Sequence, residues 1–187
     1  MLARHIPNVL TGTRILLTVP VGWLILQGRY GGALMLFFVA GLTDAVDGYL
    51  AKRFGWVSWI GGVMDPIADK TLIVVCLVTL GLAGALPAWL VALVILRDLV
   101  IMTGAASYYF LVEPFDPNPT LVSKLNTLLL LVLILATLCD RGLVALPLLS
   151  LQALTYCAGL STVVSGAGYV RDWSSRARQR WLARHGR

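Results

Sequence analysis

The sequence predicts an all-α membrane protein, an integral bundle of six transmembrane helices with both termini cytoplasmic. Three observations lead there. Of the 187 residues, 58% are hydrophobic and only 13% charged, a balance found in lipid-embedded chains rather than soluble domains. Six apolar stretches, at roughly 8–28, 31–51, 62–83, 88–110, 121–139 and 145–170, reach the ~20 residues that cross a hydrocarbon core. The charges between them are asymmetric. Arg4, Lys52, Arg53, Lys124 and the arginines at the C-terminal end fall on one side, Arg29 and Arg141 on the other. The excess of Lys and Arg marks the cytoplasmic face, and an even number of spans returns the chain to the side where it began.

The first span opens at Ile6-Pro7-Asn8, and proline suits the first turn of a helix. Asn8, Thr11 and Arg14 are spaced by three and share a helical face. An arginine inside a span needs a partner, either a carboxylate or a phosphate; a purely structural salt bridge would also satisfy it. Arg14 also interrupts the apolar run, and no small-residue cleavage site follows, so the segment reads as a retained span rather than a removed leader. Gly31-Gly32 suggests a turn into the second span, and Gly84 to Pro87 a turn between the third and fourth. The fourth span carries Arg97 and Asp98 among apolar neighbours. After Pro114 to Pro119, the fifth begins Ser123-Lys124-Leu125-Asn126-Thr127. Lys124 can snorkel to the interface. Arg97 has no such exit.

Residues 1–170 form one transmembrane domain in this reading, and residues 171–187 a basic cytoplasmic tail. Arg171, Arg176, Arg178, Arg180, Arg184 and Arg187 carry that tail. Because it directly follows an apolar span, it reads as a membrane-surface segment held by anionic lipid, not as a nucleic-acid binder. Trp56, Trp59, Trp89, Tyr108, Tyr109 and Trp173 lie near span ends and suit an interfacial belt. Cys76, Cys139 and Cys157 show no CxxC spacing, which points to neither zinc nor a disulfide framework. The two histidines, His5 and His185, lie near the termini, which argues against a histidine centre within the membrane.

The chemistry concentrates in Thr43 to Lys70, TDAVDGYLAKRFGWVSWIGGVMDPIADK. Asp44 and Asp47 are i and i+3, and Asp65 and Asp69 are i and i+4, so on helices each pair shares a face. Carboxylates beside lipid must be paired, hydrated or bound to a cation. A salt-bridge network with Lys52, Arg53 and Lys70 is one solution. A site for hard divalent cations, Mg2+ or Mn2+, is the sharper one. Gly48 and Ala51 leave room for a ligand near the backbone, Gly61 and Gly62 permit similar closeness, and Lys52 and Arg53 can bind phosphate oxygens. One carboxylate could accept a proton from an attacking hydroxyl. Together these groups suit metal-assisted phosphoryl transfer on a membrane-embedded diphosphate.

The spacing Asp44, Asp47, Gly48, Ala51, Lys52, Gly61, Asp65, Asp69 resembles the CDP-alcohol phosphatidyltransferase signature D-x2-D-G-x2-A-R-x8-G-x3-D-x3-D. One position departs: Lys52 stands where the family usually has Arg, keeping the charge but losing the bidentate fork. The resemblance implies six transmembrane helices, a homodimer, and cleavage of CDP-diacylglycerol with release of CMP. It implies two Mg2+ or Mn2+ ions on Asp44, Asp47, Asp65 and Asp69, with Asp69 also the catalytic base. Gly48, Ala51 and Lys52 would line the CDP site, and Asn8, Thr11 and Gly61 are assigned with them. MDPIADK is similar to the branch holding CMP-forming, mitochondrial-type cardiolipin synthases and phosphatidylglycerophosphate synthases, and IPNVLTGTR, VILRDLVI and TLVSKLNTLLLLVLI are similar to the corresponding parts of the cardiolipin synthases, so the reading leans toward those. The first of these implies phosphatidylglycerol as acceptor, the second glycerol-3-phosphate. Either acceptor carries a phosphate, which Arg97, Lys124 and Arg14 would bind. The expected location is a bacterial inner membrane, with the site at its cytoplasmic face and no nucleic-acid partner.

Two other readings stand beside this one. Intramembrane aspartates also build cation and proton pathways, so a small transporter is the alternative from a different class; no inverted repeat is visible. An inactive structural relative is the other, and the intact aspartates argue against it.

Overall fold

The computed structural model describes residues 6–54, 59–111 and 120–185, with side chains described for 12–43, 68–104 and 120–171. Among the described residues the chain is all-helical: α1 (Ile6–Leu26), α2 (Tyr30–Phe54), α3 (Trp59–Leu82), α4 (Ala88–Leu111), α5 (Leu121–Gly142) and α6 (Leu148–His185). Two stretches, Leu121–Gly142 and Leu148–Arg171, are long and apolar enough to cross a membrane among the described residues.

The chain divides into two compact units. The first takes Met1–Ala88 and Ile134–Leu151. Here α1 packs on both α2 and α3. The stripe Arg14, Thr18, Val21, Ile25 on α1 is buried, as are Ala33, Phe37 and Ala40 on α2 and Leu72, Cys76 and Leu80 on α3. These follow the i, i+3, i+4 rhythm of one helical face. The opposite faces keep large apolar side chains exposed, among them Leu16, Val19 and Trp23 on α1 and Met35, Phe38 and Leu42 on α2. In water such surfaces would be a liability; against lipid tails they are expected.

Glycine sets two of the turns. Gly28 has φ 72° and Gly84 φ 68°, a left-handed conformation that only glycine adopts cheaply. Gly28 N–H donates to Ile25 O at 3.0 Å and Arg29 N–H to Leu24 O at 2.9 Å. Gly84 repeats the pattern onto Gly81 at 3.0 Å, with Ala85 onto Leu80 at 2.9 Å. This paired 5→2 and 6→1 closure is the Schellman motif. The turn between α1 and α2 thus falls on Gly28, not on Gly31-Gly32, which lies inside the first turns of α2. Gly31 has a different task. Gly142, the last residue of α5, approaches it so closely that a Cβ on Gly142 would sit 2.6 Å from Gly31 N. Asp140 closes the following loop by accepting from Leu146 N–H at 2.8 Å.

The second unit takes Trp89–Leu133 and Gln152–Arg187. Leu90 and Val94 on α4, Asn126, Leu130 and Leu133 on α5, and Ala158, Thr162 and Ser165 on α6 are buried. Trp89 stacks on Tyr156 with ring centroids 6.0 Å apart. The helix α6 does not stop at residue 170 but continues to His185. The basic segment after 170 contains no Gly or Pro before Gly186, and five Arg and two Ala precede that glycine, both good helix formers.

Replacing Gly142 by alanine would drive a methyl into backbone atoms that cannot move aside. Gly142→Ala should therefore lower stability by about 1–3 kcal/mol, read as an earlier thermal unfolding midpoint of the purified protein. Gly41→Ala is the control. Nothing lies within 4 Å of the added methyl there, and alanine is the better helix former by about 1 kcal/mol, so that midpoint should hold or rise.

Candidate active site

The first unit carries the carboxylates. Asp44 and Asp47 fall on α2, Asp65 and Asp69 on α3, and the backbone is continuously helical through each pair. Each pair therefore shares a face of its helix. The side chains of Asp44, Asp47, Asp65, Gly48, Ala51, Lys52, Gly61, Asn8 and Thr11 lie outside the described residues. Four carboxylates at i, i+3 and i, i+4 spacing provide only hard oxygen donors, a set that fits Mg2+ or Mn2+.

Asp69 is described. Its Oδ1 accepts from Arg14 Nη1 at 2.5 Å, joining α3 to α1. The Arg14 side chain is 1% exposed and that of Asp69 48%. The arginine side chain is thus sealed from solvent, while the carboxylate keeps a face open to ligand or water. Of the two partners that Arg14 could take, a carboxylate or a phosphate, the structure shows the carboxylate. Thr18 Oγ1 donates to the Arg14 carbonyl at 3.0 Å, so the buried hydroxyl in the next turn is satisfied within its own helix.

The second unit carries a cationic cluster built from α4, α5 and α6. Arg97 Nη1 donates to Asp98 Oδ1 at 2.7 Å. Its Nη2 donates to Ser123 Oγ at 2.7 Å and to Ser165 Oγ at 2.8 Å. Its Nε is buried without a hydrogen-bond partner. The guanidinium carbon lies 6.0 Å from the centroid of the Tyr169 ring. The arginine stem runs past Gly166, where a Cβ would lie 3.5 Å from Arg97 Cγ, an ordinary van der Waals contact. One helical turn along both α5 and α6, Ser161 and Thr162 donate to Asn126 Oδ1 at 2.7 and 2.8 Å. Lys124 lies exposed in the first turn of α5.

Sequence reasoning singled out Arg97, Asp98 and Lys124 but gave no part to Ser123, Asn126, Ser161, Thr162 or Ser165. The available signal was polar residues three and four apart in apolar spans, where small hydroxyls join helices.

A family model for CDP-alcohol phosphatidyltransferases matches residues 4–166. The chain belongs to that family. It is 34% identical over 182 residues to the cardiolipin synthase (CMP-forming) of Rattus norvegicus, covering 88% of this chain and 60% of the relative. It is likewise 34% identical over 184 residues to the Homo sapiens cardiolipin synthase (CMP-forming), with the same coverage of 88% and 60%. A probable phosphatidylglycerophosphate synthase of Mycobacterium tuberculosis is 39% identical over 104 residues, 51% of this chain and 48% of that one. The chain thus spans three-fifths of the length of the rat and human relatives. Family and apolar helices together associate the protein with a membrane.

The Arg14–Asp69 pair gives a direct test. Arg14→Leu removes the α1 partner of Asp69 Oδ1 and should lower the thermal unfolding midpoint of the purified protein, because an ion pair with one buried member that joins α1 to α3 is lost. Arg14→Lys, which keeps the charge without the fork, should recover part of that midpoint.

Proposed function

We propose that the protein transfers a phosphatidyl group from CDP-diacylglycerol to phosphatidylglycerol, giving cardiolipin and CMP. The observation that carries the reading is the eight-position spacing from Asp44 to Asp69 laid on two continuous helices. The cardiolipin synthases among its relatives, alike over 88% of this chain, support the acceptor. Phosphatidylglycerophosphate synthesis, with glycerol-3-phosphate as acceptor, is the second reading, favoured by the shorter match to the mycobacterial protein.

In this reading Asp69 takes the proton of the acceptor hydroxyl as that oxygen attacks the β-phosphorus of CDP-diacylglycerol. The new P–O bond forms in line with the bond that breaks, and CMP leaves with the bridging oxygen. A divalent cation held by Asp44, Asp47, Asp65 and Asp69 would neutralise the diphosphate and the charge growing on the leaving phosphate. Asn8, Thr11, Gly48, Ala51, Lys52 and Gly61 form the CDP site. Arg97 and Lys124 bind the acceptor's phosphate, and Arg14 holds Asp69. The signature holds no Cys or His, and its one serine, Ser58, has no base beside it in sequence, so attack is direct rather than through a covalent enzyme intermediate.

The helices run from 21 to 38 residues, and at ~1.5 Å per residue each can cross a ~30 Å core. We read them as six spans with both termini cytoplasmic, in a homodimer in a bacterial inner membrane. The basic extension of α6 then lies along the anionic cytoplasmic surface.

The test is CMP release by the purified protein with CDP-diacylglycerol, Mn2+ and either acceptor. Release with phosphatidylglycerol alone supports cardiolipin synthesis; release with glycerol-3-phosphate alone replaces it with the second reading; release with neither refutes both. EDTA should abolish turnover and Mn2+ restore it. Asp69→Asn should lower kcat by roughly 10²–10⁴-fold, the usual worth of a positioned base; a wild-type rate would remove Asp69 from that role.

A further inference from the structure

Arg97 is held in an unusual way for a buried cation. A guanidinium has five N–H donors and no acceptor. Here one Nη1 hydrogen goes to Asp98, and Nη2 is held by two serine oxygens, from α5 and from α6. The Arg97 side chain is only 10% exposed, yet its Nε–H is buried with no acceptor. Ser165 is itself 2% exposed. Each serine oxygen accepts from Arg97, and among the described residues neither hydroxyl proton has an acceptor of its own. The cluster thus holds three donors in surplus, Arg97 Nε–H and Ser165 Oγ–H in its buried part and Ser123 Oγ–H at its half-buried edge. Unspent donors of this kind are costly. A network serving only to tie helices together would match each donor with an acceptor.

The local field has the same sign. Ser123 lies in the first turn of α5, where Thr120 Oγ1 caps its backbone N–H at 3.2 Å. Helix N-termini favour anions, and Lys124 adds a cation in the same turn. Asp98 offsets one charge and takes one Arg97 donor, so an incoming anion meets Nε, Nη2 and the hydroxyls rather than the whole fork. One turn away, the bonds from Ser161 and Thr162 to Asn126 hold α5 and α6 together, which keeps Ser123 and Ser165 both at Arg97 Nη2.

We propose that Ser123 and Ser165 are oxyanion ligands that complete a phosphate subsite with Arg97. On binding, each hydroxyl turns from accepting an Arg97 hydrogen to donating its own proton to a phosphate oxygen, and the guanidinium donors it releases pass to the same anion. The ligand is the phosphate ester of the acceptor alcohol, either a lipid phosphodiester or a soluble phosphomonoester. This rests on the acceptor role of Arg97 proposed above and adds the two hydroxyls that set its affinity.

The experiment measures binding apart from turnover. Purified wild type, Ser123→Ala/Ser165→Ala and Ser165→Thr are titrated with glycerol-3-phosphate, and separately placed in phosphatidylcholine nanodiscs of rising phosphatidylglycerol content. Thermal unfolding of each variant checks the fold. Wild type should bind one of the two ligands. The double alanine variant should bind it roughly 10- to 100-fold more weakly, as expected for one or two hydrogen bonds to a charged group, and Ser165→Thr, which keeps a hydroxyl, should stay near wild type. In turnover the acceptor KM should rise by the same factor while the KM for CDP-diacylglycerol holds. Equal affinity in wild type and the double variant overturns the subsite, as does no binding of either ligand by wild type. Binding that depends on the serines in a protein that releases no CMP would sustain the subsite and refute the transferase reading instead.

Discussion

The ion pair between Arg14 and Asp69 is the constraint around which the first unit is arranged. A side chain that is 1% exposed on α1 carries a guanidinium, and a carboxylate on α3 meets it, as a buried charge requires. The two partners are unequal: the arginine is buried, whereas the carboxylate is half-exposed and open to water. The stripe Arg14, Thr18, Val21, Ile25 explains how one face of α1 can be both core and site wall. The polar residue sits at one end of the stripe, and apolar burial continues beyond it.

The second unit solves the same problem differently. Arg97 has its own acid, Asp98, beside it in sequence, and two hydroxyls brought from helices far along the chain. A hydroxyl can also bond within its own helix, as the buried Thr162 does to the Ala158 carbonyl at 2.8 Å. It is also adaptable, being able to accept or donate. A carboxylate in the place of Ser123 or Ser165 would pair with Arg97 permanently and repel an anion. Serine leaves the cation available.

The helices were legible because each apolar run is bounded by a breaker or a charge, and the fourth begins at Ala88, one residue after Pro87. Their ends were less so. Hydrophobicity marks where lipid ends, not where a helix ends, so α6 runs on through an arginine-rich segment with strong helix propensity. The turn before α2 was misplaced because a Gly-Gly pair looks like a turn. The closure needs only the single left-handed residue Gly28, while Gly31 serves the approach of Gly142. The aspartate spacing was plain in one dimension. The partner of Arg14 was not, since a distance of 55 residues separates it from Asp69. Nor could the sequence bring Ser165 to Arg97, because the meeting depends on how α4 and α6 pack rather than on either helix alone.

In the proposed transfer the aspartates of α2 and α3 hold two divalent cations. The measurement to make is Mn2+ binding to the purified protein, followed by the loss of the free-ion EPR signal. Wild type should take up two ions saturably, and Asp44→Asn/Asp65→Asn should lose that uptake while keeping its helical content. Wild-type uptake by that variant, or none by wild type in the presence of CDP-diacylglycerol, would contradict that role of the aspartates.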